Sequence, residues 1–104
     1  PTGTLKVTIQ YAKGLKNADL FGKQDPYVIV KVGQQTRKTK VQHNGGTNPV
    51  FNESFLFSLG PANDELRLIV REHDTLSADD DLGSARVLLH KLRQRGGASS
   101  VQAP

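Results

Sequence analysis

Apolar and polar residues alternate along most of the chain with a repeat of two. Successive side chains of a β-strand point to opposite faces, so this repeat predicts strands whose one face is buried. No stretch sustains the 3.6-residue repeat of a helix, although LLHKLRQR, residues 88–95, could form one or two helical turns before Gly96 and Gly97. The segments predicted as strands are residues 5–11, 27–32, 35–41, 50–59, 65–72 and 82–89.

The six segments differ in how completely they are apolar. YVIVKV, residues 27–32, is almost uniformly apolar, as a strand covered on both faces should be, whereas QTRKTKV, residues 35–41, is polar and predicts an edge strand. Gly33 lies between them and predicts a short hairpin. Residues 50–59 place four large apolar side chains on one face: Phe51, Phe55, Phe57 and Leu59.

These short strands are separated by loop sequences such as HNGGTNP, residues 43–49, and GPAND, residues 60–64. The combination predicts an all-β fold, an antiparallel β-sandwich. A length of 104 residues fits one domain, 1–104, with its core over about residues 4–92 and a tail or last strand over residues 93–104.

Composition narrows the class of protein. The chain has no cysteine, no apolar run that would span a membrane and no signal peptide in its first residues, PTGTLKVTIQ, so we expect a cytoplasmic domain that belongs to a longer chain. The formal charge is +4, but seven of the ten acids fall in two short stretches. These acids are Asp19, Asp25, Glu72, Asp74, Asp79, Asp80 and Asp81.

Both acidic stretches fall in predicted loops. Loops at one end of a sandwich cluster, so the carboxylates are expected to converge, and their mutual repulsion would be relieved by a cation. Oxygen-rich sets of this kind suit Ca²⁺, whereas Zn²⁺ prefers His and Cys and the EF-hand pattern lacks its central Gly and closing Glu. The alternative is that the acids are solvated turn residues.

Three ordered motifs extend this interpretation: DLFGKQDPYVIVKV, TNPVFNESFLFSL and VREHDTLSADDDLG. Together they resemble the C2 domain family, whose members are eight-stranded Greek-key sandwiches that often bind calcium and acidic phospholipid. The start GTLKVTIQYAKGL is similar to the type II strand order, which implies a last strand after residue 90.

The resemblance also implies roles for single residues. The calcium ligands would be Asp19 and Asp25 of the first loop and four residues of the third, namely Glu72, Asp74, Asp80 and the auxiliary Ser77. Glu72 departs from the family, which usually has Asp there. Asp79 and Asp81 are expected to point outward.

Three apolar residues at the predicted loop tips, Leu20, Phe21 and Leu76, are candidates for insertion into a membrane. Alternatively, Phe21 folds back onto the end of the sandwich. By resemblance to phosphoinositide-binding members, a lipid headgroup would contact Tyr27, Lys38 and Lys40, although Ile29 and Arg71 replace a lysine and an aromatic residue of those members. The lysines could equally protect an edge strand from aggregation.

The sequence favours a calcium-dependent module that binds anionic phospholipid and targets a larger protein to membranes. The rival is a calcium-independent domain of the same fold that binds protein partners. No nucleophile turn supports an enzyme, and acidic loops disfavour nucleic acid. We expect a monomer that is peripheral on membranes, with Ca²⁺ as its cofactor.

Overall fold

The fold is described from a computed structural model, which covers residues 3–16, 24–60, 65–74 and 78–89. Over these ranges we find no helix with the length and apolar character needed to cross a bilayer. The strands are β1 (Gly3–Tyr11), β2 (Pro26–Val32), β3 (Gln35–Lys38), β4 (Val50–Leu59), β5 (Glu65–Glu72) and β6 (Asp80–Leu88).

The strands form two antiparallel sheets. Four of them lie in the order β3-β2-β5-β6, and β1 pairs with β4 in the other sheet. This arrangement confirms the predicted all-β sandwich. The possible helical turn and the last strand after residue 90 lie outside the described residues, except for the first two positions of the turn.

Strand β2 is buried along almost its whole length, as its apolar sequence predicts. Its inner side chains, Val28, Val30 and Val32, belong to the core between the sheets, so Tyr27, Ile29 and Lys31 lie on the outer face. The turn into β3 begins with Gly33 at φ 58°, the left-handed value that the first position of a two-residue hairpin turn favours.

The core combines both sheets. Phe57 is 1% exposed and Phe51 7% exposed, and Phe55 and Leu59 pack against the same cluster, which confirms the shared face predicted for β4. Val7 supplies the centre of β1. Burial of this kind contributes on the order of 1.5–3 kcal/mol per large apolar side chain.

Four strands differ from their predicted bounds. Strand β1 begins at Gly3 and β2 at Pro26, slightly before the predicted starts. The other two differ for visible reasons. Strand β3 ends at Lys38 rather than at residue 41 because the Thr39 hydroxyl accepts a hydrogen bond from Val28 N at 2.9 Å. A side chain thereby takes the place of the next main-chain acceptor. Strand β6 begins at Asp80, two residues earlier than predicted, because Asp81 and Asp80 pair with Arg71 and Glu72 of β5 beyond a shift in register.

That register shift is a β-bulge. Val70 pairs with Gly83 and Arg71 pairs with Asp81, so Leu82 is the extra residue. Leu82 is buried, and the bulge brings Asp81 opposite Arg71 on the outer face. The bulge therefore changes the direction of the side chains at the start of β6, which lies at the end of the sheet where the acidic residues are.

Candidate functional site

The acidic segments meet at one end of the four-stranded sheet. Glu72, the last residue of β5, pairs with Pro26 on one side and with Asp80 on the other. His73 N then donates a hydrogen bond to Asp25 O at 2.9 Å, which ties the segment after β5 to the segment before β2. The main chain thus brings Asp25, Glu72 and Asp80 to one rim, hereafter the loop rim.

A third segment joins the loop rim through Asp25. The carboxylate atom Oδ1 of Asp25 accepts a hydrogen bond from Asn44 N at 2.8 Å, and Oδ2 lies 4.0 Å from Nδ1 of His43. Asn44 has φ 58°, a left-handed conformation that Asn tolerates better than most residues. One predicted calcium ligand is therefore also an anchor for residues 43–46.

Gln24 holds the chain segment that leads into Asp25. Its side chain is 1% exposed, and Nε2 donates to Lys16 O at 2.8 Å and to Gly46 O at 3.1 Å. Its main-chain oxygen accepts from Gly46 N at 3.0 Å. One buried amide therefore links three chain segments just below the loop rim.

The predicted ligands differ in exposure. Glu72 is 3% exposed, Asp25 and Asp74 are half-buried, and Asp80 is exposed. In the part of the chain that the structure describes, no three His, Asp or Glu side chains are grouped closely enough to hold a metal ion. The chemistry of these oxygen donors fits calcium. Asp19 and Ser77 lie outside the described residues, as do the insertion candidates Leu20, Phe21 and Leu76.

Asp79 does not point outward, contrary to the sequence-based expectation. Oδ2 accepts a hydrogen bond from the Tyr27 hydroxyl at 2.5 Å, and Oδ1 accepts one from Asp74 N at 3.0 Å. Nδ1 of His73 lies 3.6 Å from the same Oδ1. The expectation failed because a hydroxyl from β2 and an amide from the segment after β5 both donate hydrogen bonds to this carboxylate.

This network changes two pKa values. The Tyr27 hydroxyl and the Asp74 amide lower the pKa of Asp79, because both donate to its ionised form. Burial and the hydrogen bond to Asp79 raise the pKa of Tyr27. Tyr27 therefore joins the outer face of β2 to the segment that contains Asp74.

The other headgroup candidates lie along β3 and just after it. Lys38 is exposed and pairs with Ile29, which places it on the outer face. Lys40 N donates to Glu53 Oε2 at 2.9 Å. Tyr27 is buried, and its hydroxyl already has a partner in Asp79, so a headgroup at Tyr27 would compete with that carboxylate.

Asp81 is largely exposed and forms an ion pair with Arg71, Nε to Oδ1 at 2.7 Å. The neighbouring carboxylate raises the pKa of Arg71. Arg71 stands where phosphoinositide-binding members carry an aromatic residue, and here it holds an acid instead of presenting a stacking surface.

Sequence reasoning missed three contributors to the loop rim: His43, Asn44 and Asp79. The glycine-rich segment around residues 43–46 indicated a loop, but nothing in it indicated a hydrogen bond to Asp25. Asp79 was visible as part of an acidic run, and its pairing with Tyr27, 52 positions away, follows only from the fold.

Comparison with known proteins matches this architecture. The C2 domain family model matches residues 3–102. The chain is 35% identical over 96 residues to 16 kDa phloem protein 2 of Arabidopsis thaliana, covering 92% of this chain and 65% of that protein. The chain thus spans just under two thirds of that relative.

Two solved structures are similar throughout the fold. A single C2 domain of plant Extended Synaptotagmin 1 has a TM-score of 0.78 at 29% identity, over 86% of this chain and 70% of that one. Calcium-bound Extended-Synaptotagmin 2, solved as a pair of C2 domains, has a TM-score of 0.78 at 27% identity, over 89% of this chain and 36% of that one. The sandwich, the loop rim and the family match lead to one conclusion: the chain belongs to the C2 domain family.

Proposed function

We propose that the domain is a calcium-dependent module that binds anionic phospholipid at the loop rim and brings its parent protein to membranes. The observation that carries the proposal is the convergence of the chain segments at Asp25, Glu72, Asp74 and Asp80. Family membership and similarity to a calcium-bound structure support it.

The ligands would come from the carboxylates of the loop rim, completed by Asp19 and Ser77. Calcium accepts six to eight oxygens, including carbonyls and water, so phosphate oxygens of a lipid could fill positions that the protein leaves open. Bound calcium would add positive charge to this rim.

The switch is electrostatic. The carboxylates of the loop rim are repelled by an anionic leaflet, and each bound Ca²⁺ would add two positive charges there. Attraction to such a leaflet is about 1 kcal/mol per unit of charge near the surface. Insertion of Leu20 and Phe21, with Leu76 from the other loop, would add apolar contacts to this attraction.

Co-sedimentation with phosphatidylserine vesicles tests the proposal. We expect sedimentation with calcium and release by a chelator. The double variant Asp25→Asn with Asp74→Asn should bind the vesicles at least tenfold more weakly in the presence of calcium. The reason is that losing even one bound ion removes two positive charges near the leaflet.

The matched control is Asp81→Asn, which removes a carboxylate that pairs with Arg71 rather than with the loop rim. It should keep calcium-dependent binding. Vesicle binding that ignores the chelator and survives the double substitution would reject the calcium switch.

A second candidate is calcium-independent binding of protein partners by the same fold. The observation that favours it is the state of Asp25. Its carboxylate accepts a hydrogen bond from Asn44 N and, among the described residues, belongs to no group of three acids or histidines. Calorimetry with calcium separates the two, because this candidate predicts no heat of calcium binding.

A further inference from the structure

The outer face of the four-stranded sheet carries a row of three cations. The register places Lys31 of β2 opposite Arg67 of β5, and Arg67 opposite Arg86 of β6. Because directly opposed residues in antiparallel strands point to the same face, the three side chains lie side by side. We call these three residues the cationic row.

Such a row opposes folding. Like charges directly across a strand pair are destabilising, and here the same sign occupies three neighbouring strands. The core does not require these cations, because they lie on the face opposite Val30, Leu66 and the other inner side chains. The arrangement is therefore better explained by a ligand than by stability.

Glu65 offsets only part of this charge. Its two carboxylate oxygens lie 3.7 Å from Nε of Arg67 and 3.6 Å from Nη1 of Arg86. Both arginine side chains remain well exposed, at 60% and 70%, so these are surface ion pairs of small net value. One carboxylate is shared between two guanidinium groups, and the row keeps a positive excess.

The surface beside the row is a shallow cavity of about 350 Å³. Its lining includes Arg67 and Arg86, together with Ile69 and the hydroxyl-bearing Ser84 from the same outer face. Ile29 lies opposite Ile69 in the neighbouring strand. Guanidinium groups and a hydroxyl beside one another suit a chain that presents carboxylates.

The position of the row argues against a membrane as its ligand. Lys31 is five residues along β2 from Pro26 at the loop rim, a distance of about 17 Å. That exceeds the Debye length of about 8 Å at physiological salt. A leaflet that contacts the loop rim therefore leaves the cationic row free for a second partner.

We propose that the cationic row and its cavity bind an extended acidic segment of a partner protein, through salt links from its carboxylates to Arg67, Arg86 and Lys31. Across two strand spacings the row spans about 10 Å, and alternate carboxylates of an extended chain are about 7 Å apart. Long arginine and lysine side chains bridge that difference. The inference rests on the proposed function only in taking the loop rim as the membrane-facing end.

Fluorescence anisotropy with a labelled deca-glutamate peptide, in the presence of a calcium chelator, tests this binding. The intact chain should bind deca-glutamate more tightly than deca-glutamine, and added salt should weaken the complex. The double variant Arg67→Gln with Arg86→Gln should bind deca-glutamate about threefold to tenfold more weakly. Glu65→Gln should bind about twofold more tightly, because it frees both guanidinium groups.

The matched control is Lys6→Gln with Lys13→Gln, which makes the same change in net charge at exposed positions in β1 and just after it. The control should keep most of the affinity. If both double variants lose the same affinity for deca-glutamate, the peptide binds only through the net charge of the chain, and the proposal is wrong. The proposal is also wrong if the arginine double variant binds like the intact chain.

Phosphatidylserine vesicles in chelator provide the competing arm. If the intact chain sediments with them, the arginine double variant does not, and deca-glutamate fails to bind, then the row is a lipid surface and the proposal is wrong. Calcium-dependent vesicle binding should persist in the arginine double variant. If the intact chain binds deca-glutamate but shows no calcium-dependent binding to vesicles, the proposed function alone is wrong.

Discussion

The two ends of strand β5 carry opposite charges arranged in the same way. At one end, Glu72 pairs with Asp80 at the loop rim. Toward the other end, Arg67 lies between Lys31 and Arg86. Each place sets like charges on neighbouring strands, where they repel each other.

The comparison shows how a sheet can carry two binding surfaces of opposite sign. Under the two proposals, a bound cation would offset the carboxylates of the loop rim, and a bound anion would offset the charge of the cationic row. Because the two lie about 17 Å apart along the strands, screening separates them at physiological salt. Each can therefore be altered without disturbing the other.

The loop rim should be the more sensitive of the two regions, and Gln24→Ala has the largest expected effect. The substitution leaves Lys16 O and Gly46 O without their amide donor and opens a space in a buried site. We expect the free energy of unfolding to fall by about 2–4 kcal/mol, measured by urea denaturation. Calcium-dependent vesicle binding should weaken in the same variant, since the segments around Asp25 lose their anchor.

Gln34→Ala is the matched control for this experiment. Gln34 is exposed in the turn between β2 and β3, so its loss should change the free energy of unfolding by less than about 0.5 kcal/mol. If Gln24→Ala changes the free energy of unfolding as little as Gln34→Ala does, the loop rim does not depend on that amide. The contrast between the two regions is then wrong.

Much of the fold follows from the two-residue repeat, because alternation alone decides which side chains face the core. Phe51, Phe55 and Phe57 were placed correctly on that basis, and β4 and β5 have the predicted bounds. The almost uniformly apolar β2 was correctly predicted to be covered on both faces. These features are local, so the sequence is enough to predict them.

The features that failed depend on contacts between distant segments. The bulge at Leu82 was not predicted, because it depends on how β6 pairs with β5, although Asp81 does point outward as expected. Asp79 was expected to point outward because its partner, Tyr27, is remote in sequence. The cationic row is likewise invisible until the register of three strands is known. The calcium ligands remain a prediction, since Asp19 and Ser77 lie outside the described residues.

Tyr27→Phe has a smaller expected effect and tests the contact between the outer face of the sheet and the loop rim. It removes the hydrogen bond to Asp79 while keeping the buried ring. At neutral pH the free energy of unfolding should fall by about 1 kcal/mol, measured by chemical denaturation. Arg37, whose guanidinium lies over the ring of Phe57, is untouched by this change.

The pH dependence of that difference has a definite sign. The pKa of Asp79 is below its ordinary value of 3.8 in the folded protein, so its stabilisation is complete above that value and is lost as the pH falls through the lower folded pKa. The pKa of Tyr27 is above 10.0, so its contribution is complete below 10.0 and is lost as the pH rises further. The two proteins should therefore differ most between about pH 4 and pH 10 and converge at both extremes. A difference that stays constant through acid pH would contradict the Tyr27–Asp79 hydrogen bond.

Lys31→Gln has the smallest expected effect and the opposite sign. Removing one member of the cationic row relieves its repulsion from Arg67, so the free energy of unfolding should rise by about 0.2–0.5 kcal/mol. The gain should shrink at high salt, where the repulsion is already screened. Lys6→Gln is the control, because Lys6 pairs with the uncharged Leu56 and should show no such gain. If Lys31→Gln makes the protein more stable and also weakens deca-glutamate binding, the cationic row is maintained at a cost to folding. If the substitution makes the protein less stable, Lys31 supports the sheet and the like-charge argument is wrong.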